Sequence, residues 1–310
     1  MAYHTTPYLL LFLPAALLFY QITPAKWRSY TLLIFSYLFF WSFSEKLIIY
    51  LIGTTFLTHH ICIWMDTMDK RDKRKKRVLQ LGIFLLLGTI LCLKYRNFFF
   101  GNVSKLAMAL HIDWSYQDQL IFLPIGISFY TLSAIGYMAD VYWGKVKAEY
   151  SLVKTALFLG FFPVIVEGPI CRWEDVEDTL FKNESVKAEN VFKGCYRIIW
   201  GLFKKMIIAD RLAVLVDKVY VGYESYSGAV IVAAAISYTI QLYMEFSGCM
   251  DMVIGSAGLF GIRLPENFSQ PFLAKTCTDF WKRWHITLGI WFKNYIFLSS
   301  IHFQDGQKVE

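Results

Sequence analysis

Apolar residues fall into long runs with few interruptions, at about 8 to 22, 29 to 43, 45 to 65, 78 to 95, 119 to 138, 152 to 170, 195 to 209 and 228 to 260. Several approach the ~20 residues a helix needs to cross a bilayer. The pattern predicts an all-α, polytopic transmembrane protein with about seven to ten membrane segments, some short or broken. One interruption is informative. "LGFFPVIVEGPI" at 159 to 170 places Pro163, Glu167, Gly168 and Pro169 at membrane depth, where non-helical backbone is tolerated only if buried in protein or lining a cavity. A re-entrant or broken helix is expected there. The longest polar stretch, 171 to 194, spaces Trp173, Val176, Leu180 and Phe181 as an amphipathic interfacial helix would.

Composition agrees with lipid as the solvent. Hydrophobic residues make up 56% of the 310 and charged ones 18%, against about a quarter charged in soluble domains. Mean hydropathy is +0.42. The net charge of +7 is concentrated, since "DKRDKRKKR" at 69 to 77 holds seven Lys/Arg. The positive-inside rule makes that loop, and "TPAKWRSY" at 23 to 30, cytoplasmic, with the N-terminus outside. A juxtamembrane basic loop is read as a solvated charge run and not as a nucleic-acid site. The first apolar run lacks a basic n-region and a clear cleavage site, so it is expected to stay in the protein. The six cysteines are scattered singly, which gives neither a metal spacing nor a disulfide framework.

Two stretches can carry chemistry. A helix through 228 to 260 puts Gln241, Glu245, Gly248 and Met252 on one stripe and Met244, Ser247, Asp251 and Gly255 on the next. Ionisable groups at such depth face a bundle interior or a watery cavity, so Glu245 and Asp251 are functional candidates. The alternative is a buried network that fixes helix register. The second stretch, "TDFWKRWHITLGIWFKNY" at 278 to 295, reads as one amphipathic helix capped by Thr278 or Asp279. Trp281, Trp284, Leu288, Trp291 and Tyr295 share its apolar stripe, and His285 lies within about 40° of Trp281. Desolvation there favours a neutral imidazole able to accept a hydroxyl proton. On pattern alone, a packed core histidine is the commoner reading.

"LPIGISFYTL" at 123, "DVYWGK" at 140, "FFPVIVEGPICRW" at 161, "GLFKKMIIADRLA" at 201, "YMEFSGCMDMVIGSAGLFGIRLPENFSQPFLA" at 243 and "DFWKRWHITLGIWFKNYIF" at 279 resemble the membrane-bound O-acyltransferase (MBOAT) family. The likeness is to its bacterial branch of alginate O-acetylation and teichoic acid D-alanyl transfer proteins. The resemblance implies a ring of tilted helices around a central funnel. An acyl thioester from the cytoplasm, acetyl-CoA or an acyl carrier protein, would meet a polysaccharide hydroxyl there, with no tightly bound cofactor or metal. It implies His285 as the first of two functional histidines. Glu245, Ser247, Asp251, Gln241, Trp281, Arg283 and Glu167 would line the cavity or bind substrate, and Lys204, Lys205, Lys282 and Arg283 would attract donor phosphates. An outside-facing acetyl-transfer protein is the implied partner, and a bacterial cell membrane the implied location. Residues 1 to 298 read as one family-like domain and 299 to 310 as an unlike tail. The second histidine is expected beyond the point where the sequence stops, His302 being too near His285 to serve, which reads as a C-terminal truncation. A catalytically inactive remnant or scaffold is the alternative. A transporter using Glu245 and Asp251 as coupling sites ranks last.

Overall fold

The computed structural model describes residues 2–69, 72–114, 116–117 and 126–297. Much of the predicted basic loop lies inside this set, whereas the start of the run at 119 to 138 and the tail at 299 to 310 fall outside the described residues. The described chain is all-α. Its helices are α1 Leu13–Ile22, α2 Arg28–Ser44, α3 Ile48–Asp66, α4 Lys73–Lys94, α5 Arg96–Ala109, α6 Ile127–Trp143, α7 Leu152–Gly160, α8 Trp173–Leu180, α9 Ala188–Leu202, α10 Asp210–Val221, α11 Gly228–Leu259, α12 Cys277–Arg283 and α13 Ile286–Phe292. Wider π turns at Pro7–Phe12, Phe203–Ala209 and Lys293–Phe297 adjoin α1, α9 and α13.

Among the described residues, three helical stretches are long and apolar enough to cross a membrane: Ala25–Asp66, Lys73–Lys94 and Gly228–Leu259. The first is divided at Glu45, whose φ of 42° turns the chain between α2 and α3. The remaining apolar runs form shorter pieces. The run at 152 to 170 gives only the nine residues of α7. That at 195 to 209 begins earlier than its hydropathy suggested, inside the polar stretch, because α9 starts at Ala188.

The predicted break after α7 is present, and the chain is non-helical from Phe161 to Arg172. Most of it is buried, so its backbone groups need partners within the protein. The Phe162 N–H donates to Ser36 Oγ at 3.1 Å, its carbonyl accepts from the Tyr3 hydroxyl at 3.1 Å, and the Ile170 N–H donates to Thr287 Oγ1 at 3.1 Å. The Phe162 ring closes the packing, 5.2 Å from Phe12 and 5.9 Å from Phe39. The amphipathic helix follows as α8, capped by the Arg172 N–H donating to Asp175 Oδ2 at 3.1 Å, with Trp173, Val176 and Leu180 buried. The loop after it is tied to the 23 to 30 turn, where Arg28 donates to the Asn183 carbonyl at 2.8 Å and Ser29 to its Oδ1 at 2.8 Å.

Among the described helices, α9 packs extensively against α11. Gly194 and Gly201 of α9 meet Gly255 and Gly248 of α11 across one seam. A Cβ on Gly201 would stand 2.5 Å from the Gly248 carbonyl oxygen, and one on Gly255 would stand 2.8 Å from that of Gly194. Both pairs are seven residues apart, two helical turns, so they fall on the same face. Small residues of this kind let backbones approach where lipid gives no hydrophobic drive to associate.

Gly201→Ala should therefore lower thermal stability in detergent by about 1 to 3 kcal/mol through overpacking. Gly53 of α3, with open space around it, is the control, and Gly53→Ala should be neutral or gain up to about 1 kcal/mol of helix propensity. Equal melting temperatures for the two variants would show that the seam is not close-packed.

Candidate functional site

The stretch around His285 is not the single helix that its apolar period suggested. Two seven-residue helices, α12 and α13, meet at Trp284 and His285, and His285 takes the left-handed conformation with φ 49° and ψ 52°. Non-glycine residues adopt this geometry infrequently, histidine more readily than most, and tertiary contacts hold it here. They come from residues 267 to 269, which run antiparallel to the break. The Ser269 N–H donates to the Arg283 carbonyl at 3.0 Å, and the Ile286 N–H to the Asn267 carbonyl at 3.0 Å. The cap of α12 is Thr276, accepting from the Asp279 N–H at 3.0 Å, two residues before the expected Thr278 and three before Asp279. Asp279 instead holds Arg283 at 2.9 Å.

The break also divides the apolar stripe. Trp281 is 61% exposed on the outside of α12, which corrects its expected inward place. Trp284 stacks on Phe280 at 5.6 Å and packs against Phe268 at 5.1 Å. Trp291 and Tyr295 are buried against α6, donating to the Leu132 carbonyl at 2.9 Å and to Asp140 Oδ2 at 2.6 Å.

His285 is partly buried. Its Nδ1 lies 3.1 Å from Asn267 Oδ1, and its ring stands edge-on to Phe246 at 4.9 Å. It belongs to none of the three long apolar stretches, and burial holds its imidazole below the ordinary value, so the neutral form prevails at physiological pH. Asn267 is fully buried. Its Oδ1 also accepts from the Thr287 N–H at 3.1 Å and the Thr287 hydroxyl at 3.0 Å, while its Nδ2 faces Met250 Sδ at 3.4 Å.

The glycine seam assembles the charges. Asp251, 8% exposed on α11, accepts from Arg197 at 3.1 Å and from Lys204 at 2.6 Å. Arg197 continues to Glu266, at 2.6 and 2.5 Å, in a two-pronged pair. On the π turn after α9, Lys205 reaches Asp210 at 2.8 Å and Glu245 at 2.7 Å. Pairing of this kind is what allows charge in a low-dielectric interior.

Beside this network lies a cavity of about 590 Å³ bordered by Arg197, Lys204, Tyr243, Ser247, Asp251 and Phe268. The Ser247 hydroxyl is buried beside the Tyr243 hydroxyl. A second cavity, about 630 Å³, lies toward the α8–α9 loop and includes Lys182, Glu184 and Arg263. Lys182 and Lys187 hold the Glu184 carboxyl down to about 2. Arg197 and Glu266 border both cavities.

Of the expected site residues, Ser247 and Asp251 share the first cavity. Glu245 faces Lys205 outside it. Gln241 Oε1 is buried without a partner among the described residues, and Glu167 accepts the Cys249 S–H at 3.2 Å. His285 stands behind Phe246 and Phe268, one ring away from the lining. Sequence reasoning missed Arg197, Glu266 and Asn267 as members of the site. The seven-residue glycine spacing could have pointed to Arg197, which sits between Gly194 and Gly201.

Comparison with known proteins follows the same outline. The chain is 34% identical over 299 residues to the probable alginate O-acetylase AlgI of Pseudomonas aeruginosa, covering 96% of this chain and 57% of that protein. It is 29% identical over 333 residues to the peptidoglycan O-acetyltransferase of Helicobacter pylori, covering 96% of this chain and 61% of the relative. It is 28% identical over 190 residues to the teichoic acid D-alanyltransferase of Bacillus subtilis, covering 59% of this chain and 47% of the relative. The chain thus spans less than two thirds of the length of these relatives. Residues 145–309 match the family of membrane-bound O-acyltransferases, and the protein belongs to that MBOAT family.

Proposed function

We propose that the protein is a membrane O-acetyltransferase acting on hydroxyls of a cell-surface or exported polysaccharide, with His285 as the proton acceptor. One observation carries the reading: a partly exposed imidazole is held in a left-handed backbone conformation by a fully buried asparagine. The same asparagine fixes both the backbone and the ring of the histidine, an over-determined arrangement of the kind that gathers at functional sites. The names of the two relatives that match nearly the whole chain support acetyl as the transferred group.

The donor is an acyl thioester reaching the site from the cytoplasmic side, where the basic loops and the α8–α9 cavity lie. The neutral imidazole takes the proton of the acceptor hydroxyl as its oxygen attacks the thioester carbonyl carbon. The new C–O bond forms, the C–S bond breaks, and the leaving thiolate recovers the proton from the imidazolium. The cavity at Ser247 and Asp251 holds the body of the acceptor, and the reacting hydroxyl reaches past the Phe246 ring to His285. Trp281, exposed on α12, and Arg283, paired with Asp279 at 2.9 Å, serve this site indirectly by anchoring that helix. An outside-facing partner that passes the acetyl group onward fits a membrane enzyme with its N-terminus outside.

Two variants test the assignment in membrane vesicles supplied with labelled acetyl-CoA and polysaccharide, using the chain and a version extended to the length of its relatives. His285→Ala should reduce transfer by about 10²- to 10⁴-fold, the usual range for lost general-base help, with insertion and melting temperature nearly unchanged. A stable, inserted His285→Ala protein that keeps most of its rate refutes the role. Ser247→Ala should raise KM for the acceptor about 2- to 10-fold, one neutral hydrogen bond. It should leave the melting temperature nearly unchanged, because the Ser247 hydroxyl is replaced at a cavity wall and its protein neighbour is the neutral Tyr243 hydroxyl. An unchanged KM would place the acceptor elsewhere.

A further inference from the structure

We infer that Asn267 is the positioning residue of this site: its side-chain carbonyl fixes His285 with the proton on Nδ1 and leaves the Nε2 lone pair as the basic atom. This rests on the reading of His285 as proton acceptor, but it is decided by groups whose roles are chemically fixed. The Thr287 backbone N–H can only donate, and it lies 3.1 Å from Asn267 Oδ1. The opposite amide orientation would set N–H against N–H. Oδ1 is therefore an acceptor, and His285 Nδ1, 3.1 Å away, must carry the hydrogen between them. A neutral imidazole has one N–H, so Nε2 is bare. Among the described residues it has no hydrogen-bond partner.

Free histidine prefers the other tautomer, so the protein imposes this one. Asn267 grips both sides of the residue, with its side chain on the ring and its backbone carbonyl on the Ile286 N–H at 3.0 Å. The Thr287 hydroxyl, which donates to the same Oδ1 at 3.0 Å, accepts from the Ile170 N–H at 3.1 Å. The amide is thus locked from α13 and from the broken segment after α7. During transfer the hydroxyl proton moves to Nε2, Nδ1–H stays on Asn267, and the departing thiolate takes the Nε2 proton. A neutral amide orients the ring without forming an ion pair that would hold the imidazolium, so the proton is returned readily.

The test is nitrogen NMR on the ¹⁵N-histidine-labelled chain in lipid nanodiscs at neutral pH, with the His285 signals identified by their loss in His285→Gln. The expected spectrum has a protonated Nδ1 and a bare Nε2, and a proton on Nε2 overturns the inference without any Asn267 variant having to fold. Asn267→Asp keeps an acceptor for Thr287 but places a carboxylate on the ring, which favours the imidazolium. Both nitrogens should then be protonated at the same pH, and an unchanged spectrum overturns the lock. Asn267→Ala should release the ring into exchange between tautomers. If Nδ1 is protonated but transfer survives His285→Ala, the functional reading fails and the positioning of the ring stands. If transfer needs His285 while Nε2 bears the proton, the role of Asn267 alone fails.

Discussion

Backbone that leaves helical geometry inside a membrane protein must find its hydrogen-bond partners in other parts of the protein, because hydrocarbon supplies none. Three irregular stretches meet this demand together. The chain after α7, the segment around Asn267 and the break at Trp284 and His285 all converge on Thr287, whose hydroxyl accepts from one stretch and donates to another. None of the three would be affordable alone. Their mutual satisfaction is what permits α12 and α13 to be separate helices, and with that the unusual backbone of His285.

The glycine seam is the second support, and it is joined to the first through a charge. Close approach of α9 and α11 brings Arg197 and Lys204 to Asp251, and Arg197 extends to Glu266, the residue immediately before Asn267. A steric device on two helices thereby fixes the end of the segment that holds the histidine. The polar cavity lies between these supports, bordered by the seam on one side and by residues 266 to 270 on the other. Its charges are paired within the protein, so the space can stay polar without leaving a bare ion in a medium of low dielectric.

Much of this architecture is legible in the sequence, and the failures share one cause. Hydropathy marks the long helices, and Pro163, Gly168 and Pro169 mark the broken segment because both residue types act on their own backbone. The spacing of Trp173, Val176 and Leu180 likewise reveals α8. At His285 the local pattern misleads. Five aromatic and aliphatic positions keep a helical period through residues 281 to 295, and neither glycine nor proline stands at Trp284 or His285. The break is imposed by Asn267, eighteen residues earlier in the chain, which no local window can register. Glu245 and Asp251 were visible as carboxylates in an apolar run, but their partners on α9 depend on helix packing. Asn267 drew no attention because an asparagine in a loop is unremarkable until its burial and its bonds are known.

The lengths of the helices carry a last consequence. At 1.5 Å per residue, the 32 residues of α11 extend about 48 Å, well beyond the ~30 Å of hydrocarbon in a bilayer. The nine residues of α7 and the seven of α12 reach only about 14 and 10 Å. Helices this short end within a thickness that the length of α11 exceeds. Each such end presents backbone N–H or carbonyl groups that no further turn can satisfy, and water is the cheapest ligand for any that the protein leaves open. Short helices thus favour hydration at the depth where long ones would exclude it, and they shorten the hydrocarbon path for any polar group entering there.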